Sequence, residues 1–134
     1  MKLAFVFPGQ GSQSVGMLSS FETPAVNQVL ARAGAALGQD LASLIANGPA
    51  EDLNLTVNTQ PAMLTAGLAV YEAWRAGGGR VPAVVAGHSL GEYTALTAAG
   101  ALTLEDAVRT VRFRAAAMQE AVPVGVGAMA AILG

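Results

Sequence analysis

Cysteine is absent from this 134-residue chain, and histidine occurs once, at position 88. Without cysteine there is neither a disulfide framework nor a thiolate metal site, and a single histidine argues against a histidine-rich one. No metal is therefore expected. Charge is scarce as well: 12% of residues are charged, against roughly 25% in an ordinary globular domain. That poverty suits a deeply buried sheet, or a surface meant to be covered by more protein. The net charge is −2, with no basic cluster, so nucleic-acid binding has no electrostatic footing. Long apolar runs are missing too, since none approaches the ~18 residues of a membrane span. The apolar stretch Leu3 to Phe7 stops at Pro8-Gly9, too soon for the core of a secretory signal. Cytoplasm is the expected compartment.

Hydrophobic residues make up 53% of the chain, enough for one domain with a real core. Leu3–Phe7 reads as a buried strand. The following Gly9-Gln10-Gly11-Ser12-Gln13-Ser14-Val15-Gly16 is glycine-rich but a poor dinucleotide loop. Ser14 stands where a third glycine is needed, and no second strand with an acidic residue follows. Thr23-Pro24 caps a helix that Gly38 closes. Leu41–Ala46 is one or two helical turns, and a longer helix is expected from near Pro61 to Gly77-Gly78-Gly79. Its apolar face carries Leu64, Leu68, Tyr71 and Trp74, the last as core or rim packing. A short apolar run, 81–86, precedes a helix over Glu92–Ala99 with Gly100 beyond its end. Another helix spans 104–120, and Gly127–Leu133 reads as a strand. Strands alternating with helices in this order indicate an α/β fold.

The most informative stretch is Gly87-His88-Ser89-Leu90-Gly91, placed between an apolar strand and a helix. Ser at the apex of Gly-x-Ser-x-Gly is the nucleophile elbow, a sharp strand-to-helix turn that holds the hydroxyl clear of the sheet. Side chains at Gly87 and Gly91 would collide with that crowded turn. The helix N-terminus aims its positive end at the same place. A plainer reading makes Ser89 a helix cap, because Ser89-Leu90-Gly91-Glu92 fits a capping box. A capping box needs neither glycine, however, and Gly91 inside a helix costs about 1 kcal/mol against Ala.

On a helical wheel, Leu104, Ala107, Val108, Val111, Ala115 and Met118 share one stripe. Arg109 and Arg112 fall off it, as solvated or rim charges do. Arg114 lies at the stripe's edge, where an unpaired guanidinium would be costly. It either snorkels past the edge or pairs with an internal carboxylate, or it receives a substrate carboxylate with its planar fork of donors.

Four segments then stand in register: Phe5-Val6-Phe7-Pro8-Gly9-Gln10-Gly11-Ser12-Gln13, Asn58-Thr59-Gln60-Pro61-Ala62, Gly87-His88-Ser89-Leu90-Gly91-Glu92, and Arg114 with Met118-Gln119-Glu120-Ala121-Val122-Pro123. Together they closely resemble the malonyl-CoA:acyl-carrier-protein transacylases of type II fatty acid synthesis and the acyltransferase domains of polyketide synthases. The resemblance covers the whole chain. It implies an α/β-hydrolase-like large subdomain with a smaller ferredoxin-like subdomain inserted. By this resemblance residues 1–124 are the N-terminal part of the large subdomain, and residues 125–134 are the first strand of the small one.

The resemblance also implies roles. Ser89 is the acyl-accepting nucleophile, and the backbone N–H groups of Gln10 and Leu90 form the oxyanion hole. Arg114 binds the malonyl carboxylate, and Gln60 lines the same pocket. Gly87, His88 and Gly91 support the elbow, and His88 is not the general base. Malonyl-CoA and the phosphopantetheinylated acyl carrier protein are substrates, and no cofactor is required. Members of the family are more than twice as long, with their catalytic His beyond the last residue here. The chain is accordingly expected to be part of a longer polypeptide that supplies the base, further strands and the small subdomain. Two other readings remain: a serine esterase with the same elbow, which has no use for a carboxylate clamp, and a non-catalytic fragment.

Overall fold

The computed structural model describes residues 1–122 and 125–127. Among the described residues two short strands form the sheet: β1 (Ala4–Phe7) and β2 (Val84–Gly87), parallel and paired from Ala4↔Val84 to Phe7↔Gly87. Parallel neighbours require a crossover. Here it carries four helices, α1 (Pro24–Leu37), α2 (Leu41–Asn47), α3 (Ala50–Leu53) and α4 (Thr56–Ala76). After β2 come α5 (Leu90–Ala98) and α6 (Leu104–Ala121). The α/β order expected from the sequence is the one observed. The strand expected over Gly127–Leu133 lies, apart from Gly127 itself, outside the described residues.

α4 is the axis of the domain, packing against α1, α5 and α6. Its Ala62, Leu64, Thr65 and Ala69 are fully buried, so apolar residues surround it instead of forming one stripe. The stripe on α6 is the expected one: Leu104, Ala107, Val108, Val111 and Ala115 are buried. Local chemistry sets the helix ends. Thr23 Oγ1 accepts from the Val26 amide at 3.3 Å, Pro24 takes the first position of α1, and Gly38 closes it at φ 63°. Asp40 caps α2 through the Ser43 amide at 2.9 Å, and Thr103 caps α6 through the Asp106 amide at 3.1 Å.

Two local expectations fail. The long helix starts at Thr56, so Pro61 lies inside it, and α3 has no counterpart in the sequence reading. Proline in the sixth position removes one hydrogen bond and crowds the preceding turn. Side chains from that turn offset the loss by tying it to α3: Thr59 Oγ1 donates to the Leu53 carbonyl at 2.6 Å, and Asn58 Nδ2 to the Asp52 carbonyl at 2.8 Å. Such tertiary anchoring is invisible to a rule that reads Pro as a helix start.

One face of the sheet is covered. Phe5 and Phe7 meet Tyr71 edge-on at 5.5 and 6.2 Å between ring centroids. Trp74 closes that cluster 5.7 Å from Phe5 while its Nε1 donates to the Arg80 carbonyl, the rim role expected of it. The opposite face is open among the described residues, with Val6 76% and Val84 59% exposed. No described helix is long and apolar enough to cross a membrane.

Candidate active site

β2 ends at Gly87, α5 begins at Leu90, and Ser89 turns the chain between them with φ 55° and ψ −115°. Among the described residues it is the only non-glycine with positive φ. A side chain held there costs of order 1–3 kcal/mol and persists only where surrounding structure enforces it. The enforcement is close packing of backbone. A Cβ on Gly87 would lie 2.0 Å from the Gly91 carbonyl oxygen, and one on Gly91 would lie 2.2 Å from that of Phe7. The turn is therefore folded on itself and pressed against the end of β1, for which glycine is required at both positions.

The capping box does not form. Ser89 makes no side-chain cap; its Oγ instead accepts a hydrogen bond from Arg114 Nη2 at 3.0 Å. Arg114 Nη1 donates to Gln60 Oε1 at 2.8 Å. Gln60 Nε2 in turn donates to Gln10 Oε1 at 3.1 Å and to Met118 Sδ at 3.2 Å. The Arg114 guanidinium carbon also stands 5.8 Å from the centroid of the Tyr93 ring. Thus Arg114 does not snorkel to water alone, and among the described residues it pairs with no carboxylate. It spans from the elbow serine to a fully buried glutamine, with donors to spare.

The site is built from four elements. β1 leads into Gln10, α4 carries Gln60, the elbow and α5 carry Ser89 and Tyr93, and α6 carries Arg114 and Met118. Among the described residues the amides of Gln10 and Leu90 donate to no protein acceptor. Leu90 is the first residue of α5, where an amide has no partner within the helix. Gly9 brings the segment of Gln10 against the elbow, since a Cβ there would sit 3.2 Å from the His88 carbonyl oxygen. His88 is exposed and makes no hydrogen bond to Ser89. No described group of three or more His, Cys, Asp or Glu could hold a metal ion.

Arg112, off the stripe as the wheel has it, is a rim charge. Arg112 is half-buried and donates to Gln39 Oε1, and its Nε has no partner among the described residues. Burial pushes its guanidinium below the usual arginine range. The wheel shows only α6, whereas Gln39, just beyond the end of α1, reaches this side chain. Tyr93 and Met118 had no assigned role at the site from sequence. For Tyr93 a signal existed: it lies four residues after Ser89, on the same face of α5.

Residues 4–133 match the family model of the acyl transferase domain. The chain belongs to that family. The chain is 58% identical over 135 residues to the malonyl CoA-acyl carrier protein transacylase of Escherichia coli K12, and 54% identical to that of Bacillus subtilis 168. The alignments take in 99% of this chain but 44% and 42% of those proteins. Among solved structures, the acyl-carrier-protein S-malonyltransferase of Burkholderia pseudomallei superposes with a TM-score of 0.90 at 65% identity, over 93% of this chain and 41% of that one. A type II polyketide acyl-carrier protein in complex with its malonyl-transacylase gives a TM-score of 0.87 at 49% identity, over 92% and 40% of the two chains. The chain thus spans less than half the length of these relatives, and its fold is the corresponding part of theirs.

Proposed function

We propose that this chain is the nucleophile-bearing part of a malonyl-CoA:acyl-carrier-protein S-malonyltransferase. The observation that carries the reading is the 3.0 Å contact between Arg114 Nη2 and the Oγ of a serine held at positive φ. A cation beside the nucleophile suits an acyl group that itself ends in an anion. Arg114 receives the malonyl carboxylate bidentately, the geometry its planar fork matches best, and buried Gln60 fixes the guanidinium from behind.

In the first half-reaction the Ser89 oxygen attacks the thioester carbonyl of malonyl-CoA and loses its proton to a base. The C–O bond forms as the carbonyl becomes an oxyanion, received by the Gln10 and Leu90 amides. The oxyanion collapses, the C–S bond breaks, and the CoA thiolate takes the proton. In the second half-reaction the phosphopantetheine thiol of the carrier protein attacks the malonyl ester, and Ser89 regains its proton. Neither half needs a cofactor. The free amides at the elbow and the close approach of the Gly9 segment support the oxyanion hole. The elbow glycines Gly87 and Gly91 support the nucleophile.

The base belongs to sequence outside this chain, as do further strands against the open sheet face and the inserted ferredoxin-like subdomain. Residues 1–124 are then the first part of the α/β-hydrolase-like subdomain, with the small subdomain beginning at 125–134. Cytoplasm remains the proposed compartment.

Intact mass spectrometry of the protein expressed from its complete reading frame tests the proposal. Incubation with malonyl-CoA adds one malonyl group, and Ser89→Ala abolishes the gain. Undiminished loading in that variant refutes Ser89 as nucleophile. Equal loading from malonyl-CoA and from a neutral acyl ester points instead to an esterase.

A further inference from the structure

We infer that Tyr93 is the positioning residue that sets the orientation of the Arg114 guanidinium, and so part of the selectivity for a carboxylated acyl group. The inference rests on the reading of Arg114 as the carboxylate receiver and adds a residue to it. Arg114 is held on two sides by hydrogen bonds, to Ser89 Oγ and Gln60 Oε1. Both use donors at the tip of the fork, and neither stops the plane from tilting about the line that joins them. The Tyr93 ring, 5.8 Å from the guanidinium carbon, supplies the third support. A cation is drawn to the face of an aromatic ring by the ring's quadrupole.

The ring is itself well anchored. Tyr93 is half-buried and packs against the core. Its hydroxyl forms no hydrogen bond among the described residues, so the aromatic face, not the phenol, meets Arg114. Tyr93 follows Ser89 by one helical turn, which ties the support to the nucleophile through a rigid element. A substrate carboxylate then finds the donors already aimed, and less freedom is lost on binding.

The test uses the protein expressed from its complete reading frame and separates ring electronics from ring shape. Tyr93→Phe keeps the face, and kinetics with malonyl-CoA should stay within about twofold of the parent. Replacing Phe at 93 by its mono-, di- and trifluoro analogues drains the quadrupole at nearly constant shape. The KM for malonyl-CoA should climb stepwise, reaching roughly three- to thirtyfold, while that for acetyl-CoA and the melting temperature hold still. Tyr93→Leu should show the full loss at once. A flat KM across the fluorinated series overturns the inference, as does an equal loss for malonyl and acetyl substrates, or a Tyr93→Phe variant as impaired as Tyr93→Leu. Arg114→Ala run alongside locates a failure. If it abolishes the malonyl preference while the fluorinated series stays flat, only Tyr93 is misassigned. If it leaves the preference intact, the reading of Arg114 falls and the inference falls with it.

Discussion

Gly91→Ala sets two physical arguments against each other. Gly91 is the second residue of α5, and helix propensity favours Ala over Gly by up to about 1 kcal/mol. On that ground the substitution stabilises. The tertiary structure demands the opposite. The added Cβ would stand 2.2 Å from the Phe7 carbonyl oxygen and 3.0 Å from that of Pro8. The first contact must open by about 0.8 Å merely to reach 3.0 Å, the tightest approach real Cβ atoms show. Neither partner is a flexible side chain that could swing away. Both are backbone, held by β1 and by the elbow. Overpacking of this kind costs about 1–3 kcal/mol, and a clash between fixed backbones belongs at the upper end.

After the propensity gain, a net loss of about 2 kcal/mol is expected, or roughly 6–10 °C in Tm for a domain of this size. Urea denaturation followed by far-UV circular dichroism measures the first and a thermal melt the second. The same displacement moves β1, and Gln10 with it, away from the Leu90 amide. Misplacement approaching 1 Å costs about a hundredfold in rate, so malonyl loading of Ser89 should slow by one to two orders of magnitude. A variant more stable than its parent, loading at the parent's rate, would show that the elbow is not pressed against β1.

Gln60→Leu keeps the volume of a fully buried side chain but removes the acceptor for Arg114 Nη1. A hydrogen bond to a charged group is worth about 1.5–3 kcal/mol, so kcat/KM for malonyl-CoA should drop by roughly ten- to a hundredfold, with acetyl-CoA far less affected. Steady-state kinetics with both substrates check the difference. On the surface, the Arg32 hydrogen bond holds the Glu105 carboxyl below the usual carboxylate range. A depressed carboxylate stabilises the fold above that range, and the benefit is lost as pH falls through the folded-state value. Because both partners are substantially exposed, the effect is under about 1 kcal/mol. Glu105→Gln should lower the urea midpoint slightly at pH 7 and leave it unchanged near pH 2, well under the ordinary carboxylate range of about 4.

By itself the sequence determined those features whose cause is local. Thr23-Pro24 and Gly38 bracket α1 because a cap, a fixed φ and a left-handed closing residue act within one turn. The α6 stripe could be read because burial repeats with the helical period. The elbow could be read because backbone collisions at Gly87 and Gly91 exclude every side chain, so the glycines themselves record the turn. The wheel shows that Arg114 needs a partner but not which one, and the local sequence does not say whether Ser89 caps its helix.

The partners of Arg114 and the missing cap at Ser89 come from tertiary packing, since each depends on groups far apart in the chain. Gln60 and Arg114 are 54 residues apart, and Ser89 and Arg114 are 25. No local rule knows which atom waits there. The same cause lies behind the place of Pro61 and the partner of Arg112. Pro61 sits inside α4 because Thr59 and Asn58 bind carbonyls of α3. Arg112 meets Gln39, beyond the end of α1 and 73 residues away in the chain. A helical wheel sees one element, whereas the free energy of a polar side chain is set by whatever the fold packs against it.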